Sequence, residues 1–191
     1  MGVFAYLADS SSLFYLINNQ KNMKKITFLG MFLVAFCSQL VYSQQLETNA
    51  PNGLTFYGTA SSPISSGAVV PAGKKYFWSS GITCGVADST AKEGTYQRYG
   101  NTKVQAESIL KNLLSTLKKQ GLSFKDVLFM RVYLAPDKFM GKTDYQGWFD
   151  AYGQYFGTKE NPIKPCRSTL GIAGLVTAEK FVEIEIVAVY P

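Results

Sequence analysis

The chain has 191 residues, 47% of them apolar and 17% charged, which admits one domain with a real core and an additional tail. Its 19 basic and 13 acidic groups leave a net charge of +6, and it contains no histidine. The missing imidazole excludes Ser-His-Asp and Cys-His hydrolases, HExxH metalloenzymes and His-ligated zinc or haem, and cysteines at 37, 84 and 166, none in a CxxC spacing, offer no structural zinc site.

The N-terminal segment reads as an address. Lys24 and Lys25 precede an apolar run from Ile26 to Phe36, and Ser43 stands before the polar onset at Gln44. A basic start, a short apolar stretch and a small residue form a secretory signal over residues 23–43, so the protein is expected to be exported, to a periplasm or the medium. The run is shorter than the about 20 residues of a membrane span. Cys37 invites a lipid anchor, but bulky Phe36 just before it fits a lipobox poorly. Met23 directly before the lysines marks residues 1–22 as an upstream extension. Removing residues 1–43 takes away three of the 19 basic groups and one of the 13 acidic ones, leaving +4. That surplus is too small and scattered for a nucleic-acid surface.

Residues 44–191 are expected to form one domain. Residues 44–75, rich in Gly, Ser, Pro and Thr, read as an extended lead-in with short edge strands and turns. The aromatic run in Lys75–Thr83 predicts a strand. Thr102 followed by Gln105 has the spacing of a capping box, with Thr102 as the cap. The helix after it places Ala106, Ile109, Leu110, Leu113, Leu114 and Leu117 on one face and closes at Gly121. Val127–Leu134 predicts a strand stopped by Pro136. Tyr145, Trp148, Phe149, Tyr152 and Phe156 fall at helical spacing, a stripe read as packing. Strands follow at Arg167–Ile172 and Phe181–Tyr190, and in the latter a period of two puts Glu183 and Glu185 on the same face. With no Rossmann or P-loop glycine pattern, this order predicts an α+β fold in which two helices cover one face of a mixed sheet.

Three segments carry chemistry that packing does not require. Arg167, in Pro165-Cys166-Arg167-Ser168-Thr169, offers a planar fork for a small carboxylate, or ties down a neighbouring loop. Glu183-Ile184-Glu185 offers a carboxylate able to hold a water, or pairs with a basic residue. Ser79-Ser80-Gly81 offers a hydroxyl and free amides at a strand end, or is ordinary turn material.

Taken in order, Ser80-Gly81, the helix around Gln105 and Leu110-Lys111-Asn112-Leu113, Gly121 to Val127, Tyr152 to Phe156, Cys166 to Thr169 and Glu183 to Ala188 resemble the Rid (YjgF, reactive intermediate deaminase) family over roughly residues 70–190. The resemblance implies a chorismate-mutase-like fold, a homotrimer with clefts between adjacent subunits, and hydrolysis of 2-imino acids such as 2-iminopropanoate and 2-iminobutanoate to 2-oxo acids and ammonia without metal or cofactor. It implies that Arg167 binds the substrate carboxylate, that Glu183 orients the water, and that Ser80, Gly81 and Thr169 line the substrate pocket. A non-catalytic trimer that binds small carboxylates is the alternative, and an endoribonuclease, a label the family also carries, is a third.

Two positions depart from the family pattern. Thr169 stands where the archetypes have cysteine, and Pro63-Ile64 where they have a tyrosine, with Tyr57 nearby but out of register. The family's pocket draws on the segments that hold Cys84 and Cys166, and after export these two would meet an oxidising compartment. A disulfide between them and a pair of free thiols are both open.

Overall fold

The structure, a computed structural model, describes residues 46–191. The expected upstream extension and secretory signal, and with them Cys37, lie outside the described residues.

The lead-in builds a sheet of its own. Strands β1 (Leu46–Asn49), β2 (Thr55–Gly58) and β3 (Gly67–Val69) pair antiparallel in that order. Phe56 and Leu54 bury into a small core with Ala50, Ile163 and Val189. Asn52 is buried too, and donates from its side chain to the carbonyl of Val189 at 3.0 Å.

The second sheet is mixed. Strands β4 (Tyr76–Trp78), β5 (Ile82–Thr83), β6 (Val127–Leu134), β7 (Cys166–Gly171) and β8 (Val182–Val189) lie in the order β4-β8-β6-β7, with β5 also on β8. Only β6 and β7 run parallel. After a short helix α1 (Tyr96–Tyr99), helices α2 (Thr102–Lys119) and α3 (Tyr145–Tyr152) follow, both packed into the core that covers one sheet face. Val127, Met130, Val132 and Leu134 of β6 and Val182, Ile184, Ile186 and Ala188 of β8 meet Ile109, Leu110, Leu113 and Leu117 of α2 and Trp148 and Ala151 of α3. Alternation along a strand is what allows one face to be apolar throughout.

Two local expectations are corrected. The strand predicted over Lys75–Thr83 is broken in two. Trp78 pairs with Val187, but Ile82 pairs with Ile184, a slip of one residue. At the break the Ser79 hydroxyl accepts the Ile186 amide at 2.9 Å, while the Ser79 amide donates to the Ile186 carbonyl at 3.0 Å. A side-chain oxygen thus replaces a main-chain acceptor, and the edge strand steps without orphaning β8.

The second correction concerns the start of α2. Asn101, not Thr102, is the cap, its side chain accepting the Val104 amide at 2.9 Å. Thr102 is buried inside the first turn, its hydroxyl without a partner. Asn101→Ala is therefore expected to lower stability by about 1 kcal/mol, whereas Thr102→Val is neutral or stabilising; urea unfolding of the two variants checks the contrast. The other end closes as expected: Gly121 has φ 72°, its amide donates to Lys118 and that of Leu122 donates to Leu117, a Schellman closure.

Candidate functional site

Arg167 stands on β7 opposite Met130 of β6, so its side chain shares the helix-covered face. There α3 receives it. The guanidinium carbon lies 4.2 Å from the ring centroid of Tyr152, 5.3 Å from that of Phe149 and 5.6 Å from that of Trp148. These aromatic faces attract a cation but accept no N–H in the ordinary sense. Nη1 of Arg167 is buried with no hydrogen-bond partner, and Arg167 forms no ion pair among the described residues. Burial lowers its pKa from the ordinary arginine value, partly opposed by Tyr152. A desolvated guanidinium without an anion is a group arranged for one.

The space beside it is a cleft of about 460 Å³, lined by Ser61, Ser62, Pro63, Tyr152, Lys164 and Arg167 among others. One wall is the loop between β2 and β3, held from two sides. Tyr152 donates its hydroxyl to the Pro63 carbonyl at 3.0 Å, and Lys164 donates to the carbonyls of Ala60 at 2.9 Å and Ser62 at 2.7 Å. Burial pushes the Tyr152 phenol up to about 12, and Arg167 draws it back only partly. Tyr152 is therefore a neutral donor throughout the physiological range.

Glu183 lies elsewhere. It pairs with Tyr133 of β6 and Thr83 of β5, and Tyr133 is three residues along β6 from Met130, so Glu183 points from the opposite face to Arg167. Its carboxylate rests over Gly81, where a β-carbon would collide with Oε1. Gly81 is thus the floor on which Glu183 lies. Glu185 shares that face but is spoken for, pairing with Arg131 and accepting the Tyr133 hydroxyl at 3.4 Å. Of the two glutamates, only Glu183 has no side-chain partner among the described residues.

The remaining expected residues divide. Ser80 is exposed beside Gly81. Thr169 shares the face of Arg167, being paired with Val132, and its hydroxyl is buried without a partner. Tyr57 lies on β2 and does not line the cleft, while Pro63 does. The phenol beside Pro63 comes instead from Tyr152, which the helical stripe had assigned to packing. Lys164 belongs to no motif in the sequence, and its place between Pro162 and Pro165, three residues before Arg167, is the signal the sequence offers.

Cys84 and Cys166 are free thiols. Cys84 is buried after β5 and Cys166 begins β7, with β8 and β6 between those strands. Three strand spacings put β5 and β7 about 14 Å apart, beyond the about 7 Å that a disulfide spans. The bridge is not formed within the protomer. Burial pushes both thiols above their ordinary range.

The family model described as Endoribonuclease L-PSP matches residues 79–190, more than half the chain. The chain belongs to the Endoribonuclease L-PSP (YjgF/Rid) family. Among solved structures, the protein of unknown function YyfB of the conserved Rid family from Yersinia pestis aligns at 19% identity and a TM-score of 0.52, covering 77% of this chain and 99% of its own. It shows the fold to be that of the Rid family. Escherichia coli TdcF with bound serine aligns at 24% identity and a TM-score of 0.48, covering 70% of this chain and 97% of its own. A YjgF-family member from Mycobacterium tuberculosis aligns at 18% identity and a TM-score of 0.43, covering 81% and 92%. No curated protein matches the sequence.

Proposed function

We infer that the chain is an exported Rid-family deaminase that hydrolyses reactive 2-imino acids of the 2-iminopropanoate and 2-iminobutanoate type. The observation that carries this reading is Arg167, a desolvated guanidinium beside a cleft with no anion of its own. Its fork grips the substrate carboxylate and fixes the imine carbon, which is already electrophilic. Glu183 holds a water and accepts its proton; the oxygen bonds to the imine carbon, the nitrogen takes up protons, and the C–N bond breaks to release ammonia and the 2-oxo acid. No metal or cofactor enters this balance.

Because Arg167 and Glu183 leave opposite faces of one sheet, a single protomer does not bring both to one imine. The reading therefore rests on assembly, as a homotrimer in which a neighbouring copy completes the cleft. The same separation favours a second reading, a non-catalytic binder of small carboxylates. The nuclease activity in the family name draws little support from a chain without histidine whose surplus after export, +4, is small and scattered.

The test generates 2-iminobutanoate in situ with an amino-acid oxidase and traps it with semicarbazide. Deaminase activity appears as slower semicarbazone formation in the presence of the protein; no change at any protein concentration leaves the binder. Gly81→Ala gives a second check. The new methyl group displaces the Glu183 carboxylate, whose flexible end yields at little cost to the fold, so the melting temperature is expected to hold while the deamination rate falls at least about tenfold. An unchanged rate removes Glu183 from the reaction.

A further inference from the structure

The cleft beside Arg167 holds a second cation that deamination of a simple imino acid does not use. Lys164 lines the same cleft, and its ammonium donates to the carbonyls of Ala60 and Ser62. An ammonium has three N–H donors, so one is left uncommitted. Neither Lys164 nor Arg167 has an ion-pair partner among the described residues, and no Asp or Glu lines the cleft. Two like charges at one cleft repel each other, and a ligand carrying two negative charges relieves that repulsion while a monoanion relieves half of it. The cleft is also lined by Phe149, Tyr152 and Phe156, apolar surface that suits the methylene body of such a ligand. At about 460 Å³ the cleft is also of a size that takes drug-sized ligands, more than a three-carbon acid fills.

Resting on the reading above, in which Arg167 takes the carboxylate next to the imine, we propose that Lys164 binds a second carboxylate at the far end of the substrate. The substrate class is then the four- and five-carbon 2-imino dicarboxylates, and Lys164 is the residue that selects them. The chemistry is unchanged: water supplies the oxygen of the new carbonyl, the C–N bond breaks, and ammonia leaves with no change of oxidation state.

The experiment is calorimetric titration of the full chain, at fixed ionic strength, with two stable 2-oxo acids that stand in for the products, 2-oxoglutarate and 2-oxobutanoate. In the wild type 2-oxoglutarate is expected to bind at least about tenfold more tightly, the factor one additional charge-assisted contact supplies. Lys164→Gln is expected to abolish that preference by weakening 2-oxoglutarate at least about tenfold more than 2-oxobutanoate, and Lys164→Arg to retain it. Equal affinities in the wild type overturn the assignment without recourse to any variant. So does a preference that survives in Lys164→Gln, or an equal weakening of both acids, which would make Lys164 only the tie that holds the 60–63 loop. The two readings fail separately. Selective binding without turnover of any imine sinks the deaminase and keeps the selectivity; turnover of 2-iminobutanoate without dicarboxylate preference sinks only the role of Lys164.

Discussion

Arg167→Lys is expected to raise KM for 2-iminobutanoate by at least about tenfold with kcat within a factor of a few, because lysine keeps the charge but loses the planar two-donor fork, and one charge-assisted hydrogen bond is worth about 1.5–3 kcal/mol. Arg167→Met goes further. It removes the anchor altogether, and kcat/KM is expected to fall to the level of the protein-free reaction. The stability of this variant should move the other way. In the free protein the half-buried guanidinium lies against three aromatic rings, with Nη1 buried and unpartnered and no anion to offset the loss. An apolar side chain of similar length fills the same space without that penalty. A melting temperature equal to or above that of the wild type, together with lost activity, is the expected pair of results. A variant that loses stability and activity in proportion would show instead that Arg167 is a structural residue.

The largest expected loss of stability comes from Gln105→Leu. Gln105 is fully buried in α2, and its amide makes three hydrogen bonds to main chain outside the helix. It donates to the carbonyls of Gly100 at 3.1 Å and Glu179 at 2.9 Å, and accepts the Phe181 amide at 2.7 Å. Leucine fills the volume but orphans these groups, each at about 1–3 kcal/mol when no water replaces the partner. The total is expected to be about 3 kcal/mol or more, a large share of the about 5–15 kcal/mol that holds a domain together. Urea unfolding should show a lower midpoint at unchanged slope. Gln105→Glu separates the groups, since a carboxyl still accepts from Phe181 but turns its charge on two carbonyl oxygens. That variant should regain stability as pH falls and the acid takes up a proton.

Periodicity carried the regular elements well. Val127–Leu134 is a strand with the predicted limits, and α2 buries Ala106, Ile109, Leu110, Leu113 and Leu117. Both glutamates of β8 do share a face, as alternation requires. What stayed hidden depends on partners rather than on local pattern. Lys75–Thr83 reads as one strand because nothing in its composition reveals that the Ser79 hydroxyl stands in for a backbone acceptor. Thr102 and Gln105 have capping-box spacing, yet Asn101 takes the cap and Gln105 is drawn across to the segment before β8, a contact 76 residues away in the case of Phe181. The roles of the two glutamates separate only through what faces them, Arg131 in one case and Gly81 in the other. Likewise the opposition of Arg167 and Glu183 follows from pairing register, which no single strand contains. Tyr152 fits a packing stripe and still lends its hydroxyl and ring face to the cleft, since burial and binding make the same demand on an aromatic residue.

The loop that walls the cleft hangs between β2 and β3, and those strands depend on a core separate from the one beneath the helices. Grip on a ligand and integrity of the small sheet are consequently linked equilibria. A ligand that needs the 60–63 wall in place stabilises that sheet against local opening, and a shaved side chain at Phe56 weakens binding while the helical layer stays folded. Amide exchange of the N-terminal strands, followed with and without bound acid, would report occupancy of the cleft from a part of the molecule that never touches the ligand.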